Sequence, residues 1–223
     1  MSVAAQPALP VAVLVSGRGS NMVAIARACA RGAINARIVR VIADRADAAG
    51  IDKARELGLE ARVIAAKQFP DRAGFEAALQ SEIEASGARL VVLAGFMRIL
   101  SGEFVARHAG AMLNIHPSLL PKFTGLHTHE RAIAAGEARH GASVHFVTGE
   151  LDGGPLLRQA RVPVLPGDTP PSLSARVQVA EHIIYPEVIG WIAAGRLVAR
   201  EGLPWLDGRP LRQPVVTDEE THP

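Results

Sequence analysis

Residues 11–21 read Val11-Ala12-Val13-Leu14-Val15-Ser16-Gly17-Arg18-Gly19-Ser20-Asn21. Five consecutive apolar residues run into a glycine-rich loop, and the Ala-rich segment Asn21–Arg31 follows, closed by Gly32. A continuous apolar run of this length predicts a strand covered on both faces, and the segment after it predicts a helix. The unit then recurs. Strands are expected at Ile38–Ala43, Ala61–Ala65, Leu90–Ala94 and Met112–His116, and helices at Asp47–Leu57, Asp71–Ser86 and Ser101–His108. Gly58 and Gly87 stop two of these helices, Phe75, Leu79 and Ile83 repeat at four-residue spacing in the longest, and Ser101 is a natural N-cap. Strand–helix alternation at this pace gives right-handed βαβ units, hence an α/β fold with a doubly wound, mostly parallel sheet related to the Rossmann folds.

After Pro117 the texture changes. His140–Thr148 and Leu156–Leu165 read as strands flanking Asp152-Gly153-Gly154-Pro155, a hairpin pattern. A long C-terminal helix is expected over Ser172–Ala194, carrying Pro186, and a short hairpin over Arg196–Leu211. Thr217–Pro223 is polar and is expected to fray. No repeat or linker divides the chain, so one domain is expected over residues 11–211, with an N-terminal extension at 1–10 and a polar tail at 212–223.

Composition narrows the function classes. The chain has 223 residues, 48% apolar and 21% charged, which argues against disorder. No apolar run approaches the ~18 residues that cross a bilayer, and no basic segment precedes the first strand, so neither a membrane protein nor a secreted one is expected. The single Cys29 excludes an internal disulfide and a cysteine metal site and fits a cytoplasmic location. Basic and acidic residues nearly balance, 24 against 22, with no basic run and only 4% aromatics, so nucleic acid is not an expected partner.

The loop after the first strand has the makings of a phosphate cradle. A helix N-terminus offers unpaired N–H groups and a positive dipole end, glycines permit close approach, and Ser20 and Asn21 add side-chain hydrogen bonds. The plainer alternative is a tight turn with an N-cap. A dinucleotide site, with Asp44 at the end of the second strand as ribose ligand, is disfavoured because Met22 occupies the third glycine position of the fingerprint; a monophosphate fits better.

A second constellation ends the fifth strand at Asn114-Ile115-His116-Pro117. Asn114 and His116, two apart, share one face at the carboxyl edge where open α/β sheets bind ligands. Asp152, in its glycine-rich turn, suits a partner for His116, since a carboxylate beside an imidazole favours imidazolium. Such a pair serves as general acid/base, and the Asn114 amide is placed to donate to a developing oxyanion. Read separately, a lone histidine is often structural and Asp-Gly is a common turn. No serine or cysteine nucleophile accompanies the set, which favours direct transfer.

These features together resemble the phosphoribosylglycinamide formyltransferases, folate-dependent enzymes of purine synthesis. The resemblance runs from about Val11 to Leu211. It rests on Ser16–Asn21, Leu93–Leu100, Leu113–Pro121, Gly125-Leu126-His127-Thr128-His129, His140–Asp152, and Gln178, Glu181 and His182. It implies a formyltransferase-like fold, and formyl transfer from 10-formyltetrahydrofolate, as co-substrate, to the amine of glycinamide ribonucleotide, without metal. The catalytic set implied is Asn114, His116 and Asp152. The sugar-phosphate contacts implied are Gly19, Ser20, Asn21 and Gln178, with Glu181 holding the amine. The folate contacts implied are Arg72, Met97, Arg98, Ile99, Leu100 and Asn114, with the loop ending at Asp152 closing over the pterin. A monomer or homodimer is expected. Relatives acting on methionyl-tRNA or hydrolysing formyltetrahydrofolate would be expected to carry a further C-terminal or N-terminal domain. A dehydrogenase is opposed by Met22, and a non-catalytic sugar-phosphate module by the Asn114–His116–Asp152 set.

Overall fold

In a computed structural model that describes residues 7–218, eight strands form one sheet. Strands β1 (Leu9–Val15), β2 (Ala36–Ala43), β3 (Ala61–Val63), β4 (Leu90–Leu93) and β5 (Met112–His116) are mutually parallel. Strand β6 (Arg139–Phe146) runs antiparallel to both β5 and β7 (Leu156–Pro163), and a C-terminal strand, β11 (Val215–Asp218), adds parallel to β7. The order is β11-β7-β6-β5-β4-β1-β2-β3. Strands β8 (Leu197–Arg200), β9 (Leu203–Leu206) and β10 (Arg209–Pro210) make a separate antiparallel sheet.

Both faces of the large sheet are covered, as the uninterrupted apolar strands require. Val11, Val13 and Val15 of β1 enter one core, shared with α1 (Ser20–Ala30), α2 (Ala49–Glu56) and the long α6 (Pro170–Ala193). Ala12 and Leu14 enter the other, built with Phe75, Leu79 and Ile83 of α3 (Arg72–Ala85) and Phe104 and Val105 of α4 (Gly102–Arg107). The four-residue repeat of α3 is therefore its buried stripe; truncating Phe75 to alanine would cost ~3–5 kcal/mol. The Asp71 and Ser101 side chains accept from Gly74 and Phe104 N–H groups and cap α3 and α4. Tyr185, fully buried on α6, donates its hydroxyl to the Leu93 carbonyl at 2.9 Å and ties that helix across β4.

The chain order runs outward from β1 to β3, then returns to β4 on the other side of β1, so the carboxyl ends of β1 and β4 flank a topological switch point. The loops leaving β1, β4 and β5 converge there.

Four sequence expectations need correction. A short helix, α5 (Thr128–Ala134), follows β5 where none was expected; of its seven residues only Thr128 and Ala132 are buried, too few for a legible apolar face. Arg196–Leu211 is three strands rather than two. Leu9 and Pro10 belong to β1, not to an extension. Thr217 and Asp218 are held in β11, with Val215 accepting from Arg158 and Asp218 facing Arg139 at 3.5 Å; residues 219–223 lie outside the described residues.

Candidate active site

The first loop is fixed by its glycines. Gly19 has φ 69°, and a Cβ there would stand 2.7 Å from the Gly50 Cα at the start of α2. The Gly50 N–H donates to the Gly17 carbonyl at 2.9 Å, locking the two segments together. Val23 N–H is the first in α1 to reach back, to Gly19, leaving the N–H groups of Ser20, Asn21 and Met22 for an anion. The Ser20 hydroxyl accepts from Gln178 Nε2 at 3.0 Å. The Asn21 amide donates to Glu181 Oε2 at 2.8 Å. Glu181 is 8% exposed, and burial raises its carboxyl above the ordinary range, opposed by the Asn21 bond and the Arg18 charge. Met22 is fully buried in the core, so the position where a dinucleotide fingerprint needs glycine is a packing position here.

Asn114 and His116 point the same way from β5, and Ile115 enters the opposite core. The Phe123 carbonyl can only accept, so the 2.9 Å contact places the hydrogen of His116 on Nε2. Its Nδ1 faces Asp152 Oδ2 at 3.4 Å. Asp152 adopts φ 53°, which asparagine and aspartate tolerate best, and its Oδ2 also accepts from the Gly125 N–H at 2.9 Å. An imidazolium at His116 thus has an acceptor for each N–H. On β6, directly opposite Asn114, stands His145. Its Nδ1 donates to the Phe146 carbonyl at 2.9 Å and its Nε2 takes one amide hydrogen of Asn114 at 3.1 Å. Burial favours the neutral form of His145 despite Asp152 nearby, so it holds Asn114 as an acceptor and leaves the second amide hydrogen of Asn114 free.

The far wall is residues 96–100. The Ser16 hydroxyl accepts from Met97 N–H at 2.8 Å, and Glu76 takes both the N–H and the hydroxyl of Ser101. Arg98 Nε donates to Asp44 Oδ2 at 2.7 Å, so one oxygen of the carboxylate a dinucleotide would need for its ribose is taken by a cation, and the other is buried. Met97 and Ile99 expose 66% and 69% of their surface, unusual for large apolar side chains beside a cavity and suited to an aromatic ligand. One cavity of about 620 Å³ connects the cradle, the Asn114–His116–Asp152 set and this wall.

Residues 9–189 match the formyl transferase family. The chain belongs to that family. Over 201 residues, 90% of this chain, it is 50% identical to phosphoribosylglycinamide formyltransferase of Escherichia coli K12 and 44% identical to that of Haemophilus influenzae, covering 95% of each. The phosphoribosylglycinamide formyltransferase of Coxiella burnetii, solved in complex with CHES, superposes with a TM-score of 0.90 at 50% identity, covering 94% of this chain and 99% of that one.

Within this formyl transferase most expected site residues gather in one place. Gly19, Ser20, Asn21, Gln178, Glu181, Met97, Arg98, Ile99, Leu100, Asn114, His116 and Asp152 all line the large cavity. Arg72 does not: it stands at the start of α3, 63% exposed, with Glu76 at 3.9 Å. The Asn21 side-chain amide is committed to Glu181, so of its donors only the backbone N–H is left at the cradle. Sequence reading missed His145, Glu76 and the Phe123 carbonyl. His145 is revealed only by the β5–β6 register, and Glu76 only by where α3 docks.

Proposed function

We propose that this formyl transferase moves the formyl group of 10-formyltetrahydrofolate to the amine of glycinamide ribonucleotide, yielding formylglycinamide ribonucleotide and tetrahydrofolate in purine biosynthesis. The observation that carries the reading is that one cavity joins an anion cradle at Ser20, a buried carboxylate at Glu181, the Asn114–His116–Asp152 set and an apolar wall. The 50% identity to a relative of that activity, across nearly its whole length, points the same way.

The phosphate sits on the N–H groups of Ser20, Asn21 and Met22, with Gln178 beside them. Glu181 receives the amine, whose positive form offsets the burial of the carboxylate. The folate head lies along Met97–Leu100, with its formyl carbon between the amine and Asn114. The neutral amine attacks that carbon, and the free Asn114 N–H stabilises the resulting oxyanion. As the carbon–N10 bond breaks, N10 gains a proton and the former amine loses one. His116 carries protons between these sites through Nδ1, and Asp152 stabilises the imidazolium while it does so. Holding both substrates in one cavity removes much of the entropic barrier.

Following folate absorbance with and without glycinamide ribonucleotide tests this directly. Turnover must depend on the ribonucleotide; folate consumption at the same rate without it indicates hydrolysis and overturns the assignment.

A further inference from the structure

A second cavity, of about 200 Å³, opens on the outer side of Ser20 between α1 and α6. Ser20, Val23, Ala24, Arg27 and Arg31 line one side and His182 the other. Ser20, Ala24, Arg27 and Arg31 follow one another at helical spacing, so they form a single stripe. Side chains on a helix lean toward its N-terminus, which brings the two guanidinium groups back toward Ser20. Neither arginine has a carboxylate partner among the described residues, and α1 contains no acidic residue. His182 Nε2 is closed off from solvent with no hydrogen-bond partner. Burial, and secondarily the Arg27 charge, keep His182 toward its neutral form, a bias that an anion between them would relieve.

The large cavity reaches Ser20 from the cradle side and does not include Arg27, Arg31 or His182. Ser20 is thus the shared wall of two anion-seeking spaces. We infer that the outer cavity is a second phosphate subsite, so that a ligand with two linked phosphates, such as a nucleoside diphosphate or a pyrophosphorylated sugar, binds across Ser20 and excludes the ribonucleotide. One phosphate takes the cradle. The other meets Arg27 and Arg31, whose planar donors match phosphate oxygens, and lies beside the His182 ring. A sugar monophosphate uses the cradle alone. The inference rests on the proposed cradle for the ribonucleotide phosphate.

Inorganic phosphate and pyrophosphate, compared as competitors of glycinamide ribonucleotide, test it. Pyrophosphate should inhibit at least ~10-fold more tightly than phosphate, the gain expected of charge-assisted contacts. In Arg27→Gln with Arg31→Gln, exposed positions where glutamine keeps the helix, that advantage should shrink to ~2-fold while turnover and the ribonucleotide KM stay within about 2-fold. Equal inhibition by the two anions in the wild type, or an undiminished pyrophosphate advantage in the double variant, overturns the subsite. If neither anion competes with the ribonucleotide, the cradle itself is wrong and the subsite falls with it.

Discussion

His116 stands between two acceptors: its Nε2 meets the Phe123 carbonyl at 2.9 Å and its Nδ1 faces Asp152 Oδ2 at 3.4 Å. The first contact fixes the tautomer and the ring plane. The second supplies a charge that matters only when Nδ1 is protonated. Asp152→Asn keeps the size and an acceptor for Gly125 N–H but removes that charge. Turnover should fall by ~10²–10⁴, as for loss of a positioned acid/base, with both Michaelis constants changed far less. Steady-state kinetics giving turnover within a few-fold of wild type would reduce Asp152 to a turn residue.

Glu181 presents the opposite case, a carboxylate kept in an unfavourable place. Its folded pKa is raised by burial, so between about 4.5 and the folded value the native state holds more protons than the unfolded chain, and stability is lost as pH rises. Glu181→Gln removes the effect and still accepts from Asn21. The variant should be more stable than wild type at neutral pH by about 1 kcal/mol, ~2–4 °C in Tm, and should lose affinity for the ribonucleotide. The stability gap should widen upward from pH 4.5; a gap that does not change with pH would mean that the carboxylate is not held against its preference.

How legible this was depends on how local each signal is. The doubly wound sheet follows from apolar runs such as Val11–Val15, and the cap at Ser101 follows from residue type. Asn114 and His116 could be paired because strand alternation acts over two residues. His145 could not, because its meeting with Asn114 depends on antiparallel register between β5 and β6. Arg72 was placed at the site by resemblance alone, and α3 sets it 63% exposed outside the cavity. Strand β11 has only two apolar residues on a sheet edge, a signal no stronger than that of a polar tail.

His140 gives the fold an acid limit. It is 1% exposed, with Nε2 at 3.1 Å from His129 Nδ1, and burial, followed by the His129 charge, lowers its pKa to about 4. Unfolded, it would titrate near 6.5, so as pH falls from 6.5 to about 4 the unfolded chain binds the proton first and stability is lost. His140→Gln should flatten that decline by about 1–2 kcal/mol. Urea midpoints at pH 7 and pH 4.5 are the check; equal declines in both proteins would assign the acid sensitivity to other groups.

Asp44 sits where a dinucleotide-binding protein would place its ribose ligand, and here it has another task. It is 4% exposed, its Oδ2 takes Arg98 Nε at 2.7 Å, and its Oδ1 is buried without a partner. Arg98 itself is 43% exposed and lines the cavity beside Met97 and Ile99. Its guanidinium therefore has one edge tied to the end of β2, which limits where the other donors can go. A folate lying along this wall meets a cation already oriented, and pays less side-chain entropy to use it. Asp44→Ala should raise the folate KM by ~5–10-fold, equivalent to one hydrogen bond of about 1–1.4 kcal/mol, while leaving the ribonucleotide KM and turnover nearly unchanged. Asp44→Asn keeps an acceptor for Nε and should recover most of that loss. Initial rates against each substrate for the two variants separate the outcomes. Equal losses for both substrates in Asp44→Ala, with no recovery in Asp44→Asn, would show that Asp44 supports the packing of β2 and not the aim of Arg98.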